Sequence, residues 1–228
     1  MKRGNITRKV FALLLTLAMV ITMMPAMALT AFADGEVAQI GETKYPSLAE
    51  AIAAVPTDGP ETTITMIGDE TISGNAGVTV AAGQNIVLDL NGHTVKNNVI
   101  TQDASQVILN LGKITIKDST GNGVLENDSV DPENAGNWWI EPKNNFVTNV
   151  ITNCGKLTIE SGKLQQNAPG NICYCVDNQS SGACPELTVN GGELYNFYTN
   201  AVRMYANSTT NTNTMTVNDG LIKGYNSI

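Results

Sequence analysis

Large rings are scarce in this chain: two Trp, six Tyr and four Phe among 228 residues, or 5% aromatic. The 42% apolar content is therefore carried by small and β-branched side chains, with 21 Gly, a mixture that suits strands and tight corners. There is one His, His93, placed in an Asn-Gly corner. A general base needs a partner within hydrogen-bond reach, and the sequence names none, so His93 reads as a surface residue. Of four Cys, only Cys173 and Cys175 form a Cys-x-Cys, with no second spaced pair, so zinc is not expected. After residue 24 no apolar run is long enough to span a membrane. Cations are also few, 13 Lys and Arg against 21 Asp and Glu.

Four of those cations, Lys2, Arg3, Arg8 and Lys9, precede an apolar core from Val10 to Met24 and a small-residue site at Ala31-Phe32-Ala33. This three-part pattern predicts a signal peptide over residues 1–33, cleaved on export, with the protein secreted or at the cell surface. Cleavage there leaves nine Lys plus Arg against 21 acids, a formal charge of −12. Such a surface repels nucleic acid and anionic polysaccharide unless cations mediate.

Against this background one phrase recurs. Leu187-Thr188-Val189-Asn190-Gly191-Gly192-Glu193-Leu194 is echoed by Leu157 to Leu164 and by Met215 to Ile222. Worn copies start at Leu88 and Ile114. Each reads apolar, polar, apolar, a turn closing on Gly, then apolar again. Period-two alternation puts the first and third residues on one face of a strand and the Thr on the other. A second marker, Asn-Val-Ile or its kin at Asn98, Asn149, Asn171, Asn200 and Asn226, is read as running in phase with the first. A unit so small cannot bury its apolar face alone, and several short strands per cycle of under about 50 residues describe one coil of a stack.

On these repeats the chain resembles the right-handed parallel β-helix family, often called pectate-lyase-like, found in secreted bacterial surface proteins. The resemblance implies an all-β solenoid from about Val37 onward, and it implies architecture better than activity. The division expected is a hairpin and capping helix over 34–60 and coils over 61–228. The helix signal is Ser47-Leu48-Ala49-Glu50, a capping box, followed by Leu48, Ala51, Ile52 and Val55 on one face and Pro56 as the stop. It is expected to lie across the open end of the stack. The chain stops at Ile228, one strand into a new coil, so the C-terminal end is expected uncapped and more chain beyond it.

One interval breaks the rhythm. Ile114 to Leu157 spans 43 residues, and the surplus is assigned to a loop insertion at about 121–145. It holds Asp128, Asp131, Glu133, Trp138 and Trp139. Two readings stand: the Trp rings anchor the loop to the coil, or they face a sugar ring while the carboxylates bind its hydroxyls or a Ca²⁺. The spacing does not match an EF-hand, and no cofactor is otherwise implied.

Cys154 and Cys184 each lie three residues before the Leu of their repeat, so they should sit on adjacent coils, either as a disulfide or as two thiols. Cys173 and Cys175 are expected inward, matching Val202 and Met204 one coil on. Tyr174, Arg203 and Tyr205 could line a shallow outer groove, and Asn190 and Asn218 could stack in matched corners. No nucleophile–base or paired-carboxylate constellation is visible and no catalytic residue is named. The reading is a non-catalytic exported module that binds extracellular polysaccharide or a host or bacterial surface glycan, or acts as an adhesin. The alternatives are a polysaccharide lyase or glycoside hydrolase, and a structural stalk of a larger envelope protein.

Overall fold

The computed structural model describes residues 35–132, 147–169, 172–180, 184–206 and 212–225. The signal peptide expected over 1–33 lies outside them. The repeated phrases do stack. Ile114, Leu157, Leu187 and Met215 are partners in successive parallel strands, and Thr115, Thr158, Thr188 and Thr216 run beside them on the opposite face. From Ile114 through Val189 the apolar members of this column are 0–1% exposed. Burying each such side chain contributes roughly 1.5–3 kcal/mol, which is why one phrase repeated is enough to define a dry interior.

Each full coil supplies one strand to each of three sheets, the architecture of a right-handed parallel β-helix, and the last described coil supplies two. The first sheet runs Thr62–Met66, Asn85–Asp89, Lys113–Lys117, Lys156–Ile159, Glu186–Val189 and Thr214–Val217. The second holds Glu70–Ile72, Thr94–Asn97, Val124–Asn127, Lys163–Gln166, Glu193–Asn196 and Leu221–Gly224. The third holds Val78–Val80, Ser105–Asn110, Thr148–Asn153, Cys173–Ser180 and Val202–Ala206. Between first and second sheets the chain turns on glycines such as Gly162 and Gly192, at φ 88° and 79°. A Cβ on Gly192 would lie 2.7 Å from the Gly162 carbonyl oxygen, so neither conformation nor space admits a side chain there.

The N-terminal end is closed as expected by a hairpin, Ala38–Ile40 with Thr43–Tyr45, and a helix, Leu48–Ala54. Ser47 Oγ accepts from the Glu50 amide at 3.1 Å, half of the expected capping box. The Leu48 amide is taken by Glu70, whose Oε2 accepts it at 2.8 Å from the second sheet. At the other end Gln84 Nε2 donates to the carbonyls of Ile52 and Val55, both at 2.8 Å. The lid is thus tied to the first coil at both ends by side chains of the coil. No helix among the described residues is long and apolar enough to cross a membrane, which says nothing of β-barrels.

Two features depart from the sequence-based expectation. Val124–Asn127, inside the stretch assigned to the loop, is a full rung of the second sheet paired on both sides. The alternation Leu125 in, Glu126 out marks it, so the insertion starts later; residues 133–146 lie outside the described residues. The second marker also slips. Cys175 falls beside Ala201 and Val176 pairs with Val202, so Cys173 and Cys175 do not match Val202 and Met204. The cause is the length of the connection from the second sheet: Gln166 pairs with Asn196 and Val176 with Val202, so ten residues on one coil answer to six on the next. The third sheet is also irregular within its strands. Val107 and Ile108, Val150 and Ile151, and Cys175 and Val176 are consecutive buried pairs, which breaks the period of two. Both Cys are nonetheless fully buried, as expected.

Stacked amides line the corners. Asn110 Nδ2 donates to Asn153 Oδ1 at 2.7 Å, and Asn153 Nδ2 to Asn178 Oδ1 at 2.6 Å, all within the interior. A second buried column, Asn97, Asn127, Gln166 and Asn196, donates to carbonyls at or just before the start of third-sheet strands, those of Gln106, Asn149, Thr148 and Asn200. Buried polar atoms at turns would otherwise be costly, and these columns supply their partners. The expected Asn190–Asn218 contact is present at 2.7 Å.

Candidate ligand-binding face

On the second sheet, residues that alternate with the buried column point outward. One row is Lys96, Glu126, Gln165, Tyr195 and Lys223, each the partner of the next. Two residues further along each strand comes a shorter row, Asp128, Asn167 and Phe197. The two rows cover adjacent coils about 4.8 Å apart on a rigid surface.

The N-terminal half of this face is polar and internally matched. Lys96 Nζ lies 2.8 Å from Asp128 Oδ2 and 3.4 Å from Glu126 Oε1. Donating a hydrogen bond to Asp128, with the charges of both carboxylates, holds the Lys96 ammonium above its ordinary range despite burial. Asn167 Nδ2 donates to Asp128 Oδ1 at 2.7 Å, and Gln165 Nε2 donates to Asn167 Oδ1 at 2.8 Å. The next half is aromatic. Tyr195 and Phe197 meet edge to face at 4.5 Å, with Phe197 45% exposed. Lys163 and Lys223 place their ammonium groups 5.9 and 5.1 Å from the Tyr195 ring centre.

Chemically this face carries groups of the kinds that recognition uses. Amides and carboxylates held in fixed positions can donate to and accept from hydroxyls, and an exposed ring offers a flat apolar face. Glu126, on the strand Val124–Asn127, and Asp128, just past its end, share one Lys, so they do not confront each other across a cleft as a glycosidase pair does.

The residues singled out by sequence are partly assembled here. Asp128 is in the face. Asp131 is buried, 4% exposed, after the bridge between Ile100 and Val130. Glu133, Trp138 and Trp139 lie outside the described residues. Among the described residues no group of three or more His, Cys, Asp or Glu could hold a metal ion. His93 does have a partner: its Nδ1 lies 3.2 Å from Asp69 Oδ1, an exposed carboxylate that also accepts from the Thr94 amide. Sequence reasoning missed Tyr195, Phe197, Gln165 and Asn167. Only their outward register signals them, and each coil places a different residue type there.

A second cluster lies on the third sheet, where Tyr174, Arg203 and Tyr205 do come together. The Arg203 guanidinium sits 4.7 Å from the Tyr174 ring centre and 5.0 Å from that of Tyr205. Arg203 Nε donates to Asp177 Oδ1 at 2.7 Å, and its terminal nitrogen and Gln179 Nε2 both bond Asp177 Oδ2. Burial lowers the affinity of Arg203 for its proton, but the bonds to Asp177 more than restore it. Asp177 is fully buried, so this cluster is a saturated ion pair bracing the sheet rather than an open site.

Comparison with protein-family models, with curated proteins and with solved structures finds no match.

Proposed function

We propose that this chain is an exported, non-catalytic surface module of the pectate-lyase-like kind that binds extracellular carbohydrate along the outer face of its second sheet. The observation that carries this reading is the continuity of Asp128, Asn167 and Gln165 with Tyr195 and Phe197 on one rigid sheet face. A glycan laid across the coils would meet hydrogen-bonding groups and then a ring. Export rests on the three-part leader, and the acidic balance favours neutral glycans over polyanions. Adhesion to a host or bacterial surface glycan is the same chemistry displayed at a cell surface.

A glycan array tests the reading. Binding by the wild-type chain should fall at least about tenfold, the equivalent of about 1.4 kcal/mol, in an Asn167→Ala, Phe197→Ala double variant that keeps its β-sheet spectrum. Retention of full affinity would remove the second sheet from the account. Loss confined to a Trp138→Ala, Trp139→Ala variant would move the site to the insertion. Release of reducing ends from a polysaccharide panel would favour the hydrolase or lyase alternative, and absence of any glycan binding would leave the stalk.

A further inference from the structure

The corner leading into the first sheet carries a feature that glycan binding does not use. Lys113, Lys156 and Glu186 are partners on successive coils, and two residues before each of them stand Leu111, Cys154 and Cys184. On the first-sheet side the frame holds from Gly155 onward, whereas on the third-sheet side Asn153 pairs with Asn178 and the next coil spends five more residues before Glu186. The Cys154 amide donates to the Asn110 carbonyl at 2.8 Å, as Leu111 does to Val80, and the Glu186 amide donates to the Gly155 carbonyl at 2.9 Å. One coil earlier the same corner is tightly packed, since a Cβ on Gly155 would lie 2.1 Å from the Gly112 carbonyl oxygen. Leu111, Cys154 and Cys184 line one cavity of about 460 Å³. Parallel neighbours stand about 4.8 Å apart, within the 4.4–6.8 Å of Cα separation that a disulfide spans.

The two sulfurs differ in access, and the difference sets an order of events. Cys184 is exposed, whereas Cys154 is 8% exposed. The remaining thiols cannot compete. Burial pushes Cys173 up to about 11 and Cys175 higher still, so neither offers thiolate at neutral pH.

We propose that Cys154 and Cys184 are a thiol–disulfide exchange site that cross-links two adjacent coils when the protein meets a small-molecule disulfide such as oxidised glutathione. The Cys184 thiolate attacks one sulfur of that disulfide, forming a mixed disulfide and expelling one small thiol. Cys154 then attacks the Cys184 sulfur, forming the inter-coil bond and expelling the second. One S–S bond and two protein S–H groups are consumed, and one S–S bond and two small-molecule S–H groups are formed. The link closes a 30-residue turn of the helix and fastens the corner where Pro185 leads into the strand Glu186–Val189.

The experiment exposes the full folded chain to oxidised glutathione and maps its peptides without reduction. A single peptide pair joining Cys154 to Cys184, with the monomer lighter by two hydrogens and Cys173 and Cys175 still alkylatable after unfolding, is expected. The oxidised protein should melt roughly 5–15 °C above the reduced one. A Cys184→Ser variant should show neither the link nor the gain. A lasting glutathione adduct on Cys184, a dimer joined through Cys184, a link between Cys173 and Cys175, or an unchanged melting temperature in the linked monomer would each overturn the proposal.

Discussion

Single residues at the corners satisfy groups that the strands cannot reach. Asp118 is 7% exposed, and its carboxylate accepts from the amides of Gly92 at 2.8 Å and Gly123 at 2.6 Å. Burial raises its affinity for a proton, but these backbone bonds, with those of Thr120, outweigh burial and hold it below its ordinary 3.8. At Asp89, one coil earlier, burial is likewise outweighed, by bonds from Ser119, Lys117 and Asn91. Depressed folded values mean that this stabilisation is complete above about pH 4, the unfolded range, and is lost as pH falls through the folded values. Glu70 has the opposite sign, since burial outweighs its bond to Leu48 and raises it from 4.5. It subtracts stability as pH rises out of the unfolded range. Urea midpoints measured from pH 2 to 7 should therefore drop on the acid side for the wild type. Asp118→Asn should cost roughly 1–3 kcal/mol at pH 7 and flatten part of the acid limb. An unchanged acid limb in that variant would show that the Asp118 contacts are not stabilising.

At the scale of the strand, periodicity is readable where alternation is strict and misleading where it is not. The first sheet repeats apolar, Thr, apolar on coil after coil, so its rungs, the Gly corners and the lid helix can be placed from residues alone. The third sheet cannot, because Val107–Ile108, Val150–Ile151 and Cys175–Val176 put two buried residues in succession, and because the connection from the second sheet shortens by four residues between Gln166–Val176 and Asn196–Val202. The inner amide columns are equally hidden. Asn110, Asn153 and Asn178 recur at 43 and then 25 residues, and an isolated Asn in a turn ordinarily reads as turn chemistry. Of the candidate site, Asp128 is legible as a carboxylate, but its neighbours Asn167 and Phe197 come from later coils and only register brings them together. The ladder makes a prediction of its own. Asn153 accepts from Asn110 and donates to Asn178 and to the Glu186 carbonyl, so Asn153→Ala strands buried groups on two coils. Chemical denaturation should show a loss of about 2–4 kcal/mol, larger than for a half-buried outer corner amide such as Asn190, where the change should be within about 0.5 kcal/mol. Equal effects at the two positions would mean that the inner column contributes nothing special.

For the molecule as a whole, stacking converts a weak repeat into a flat, rigid wall. Each coil contributes one or two outward residues per sheet, and the recognition surface we propose depends on the coils holding them in line. The third sheet uses its outward positions for the Asp177–Arg203 brace, and the first largely for Thr. The second is where hydrogen-bonding groups and rings lie side by side. The most direct measurement is an NMR titration of the folded chain with the oligosaccharide that binds it best, read at backbone and side-chain amides. Shifts concentrated at Gln165, Asn167, Tyr195 and Phe197, with the third sheet silent, are the predicted result. Shifts centred on Tyr174 and Arg203, or confined to the insertion, would contradict it.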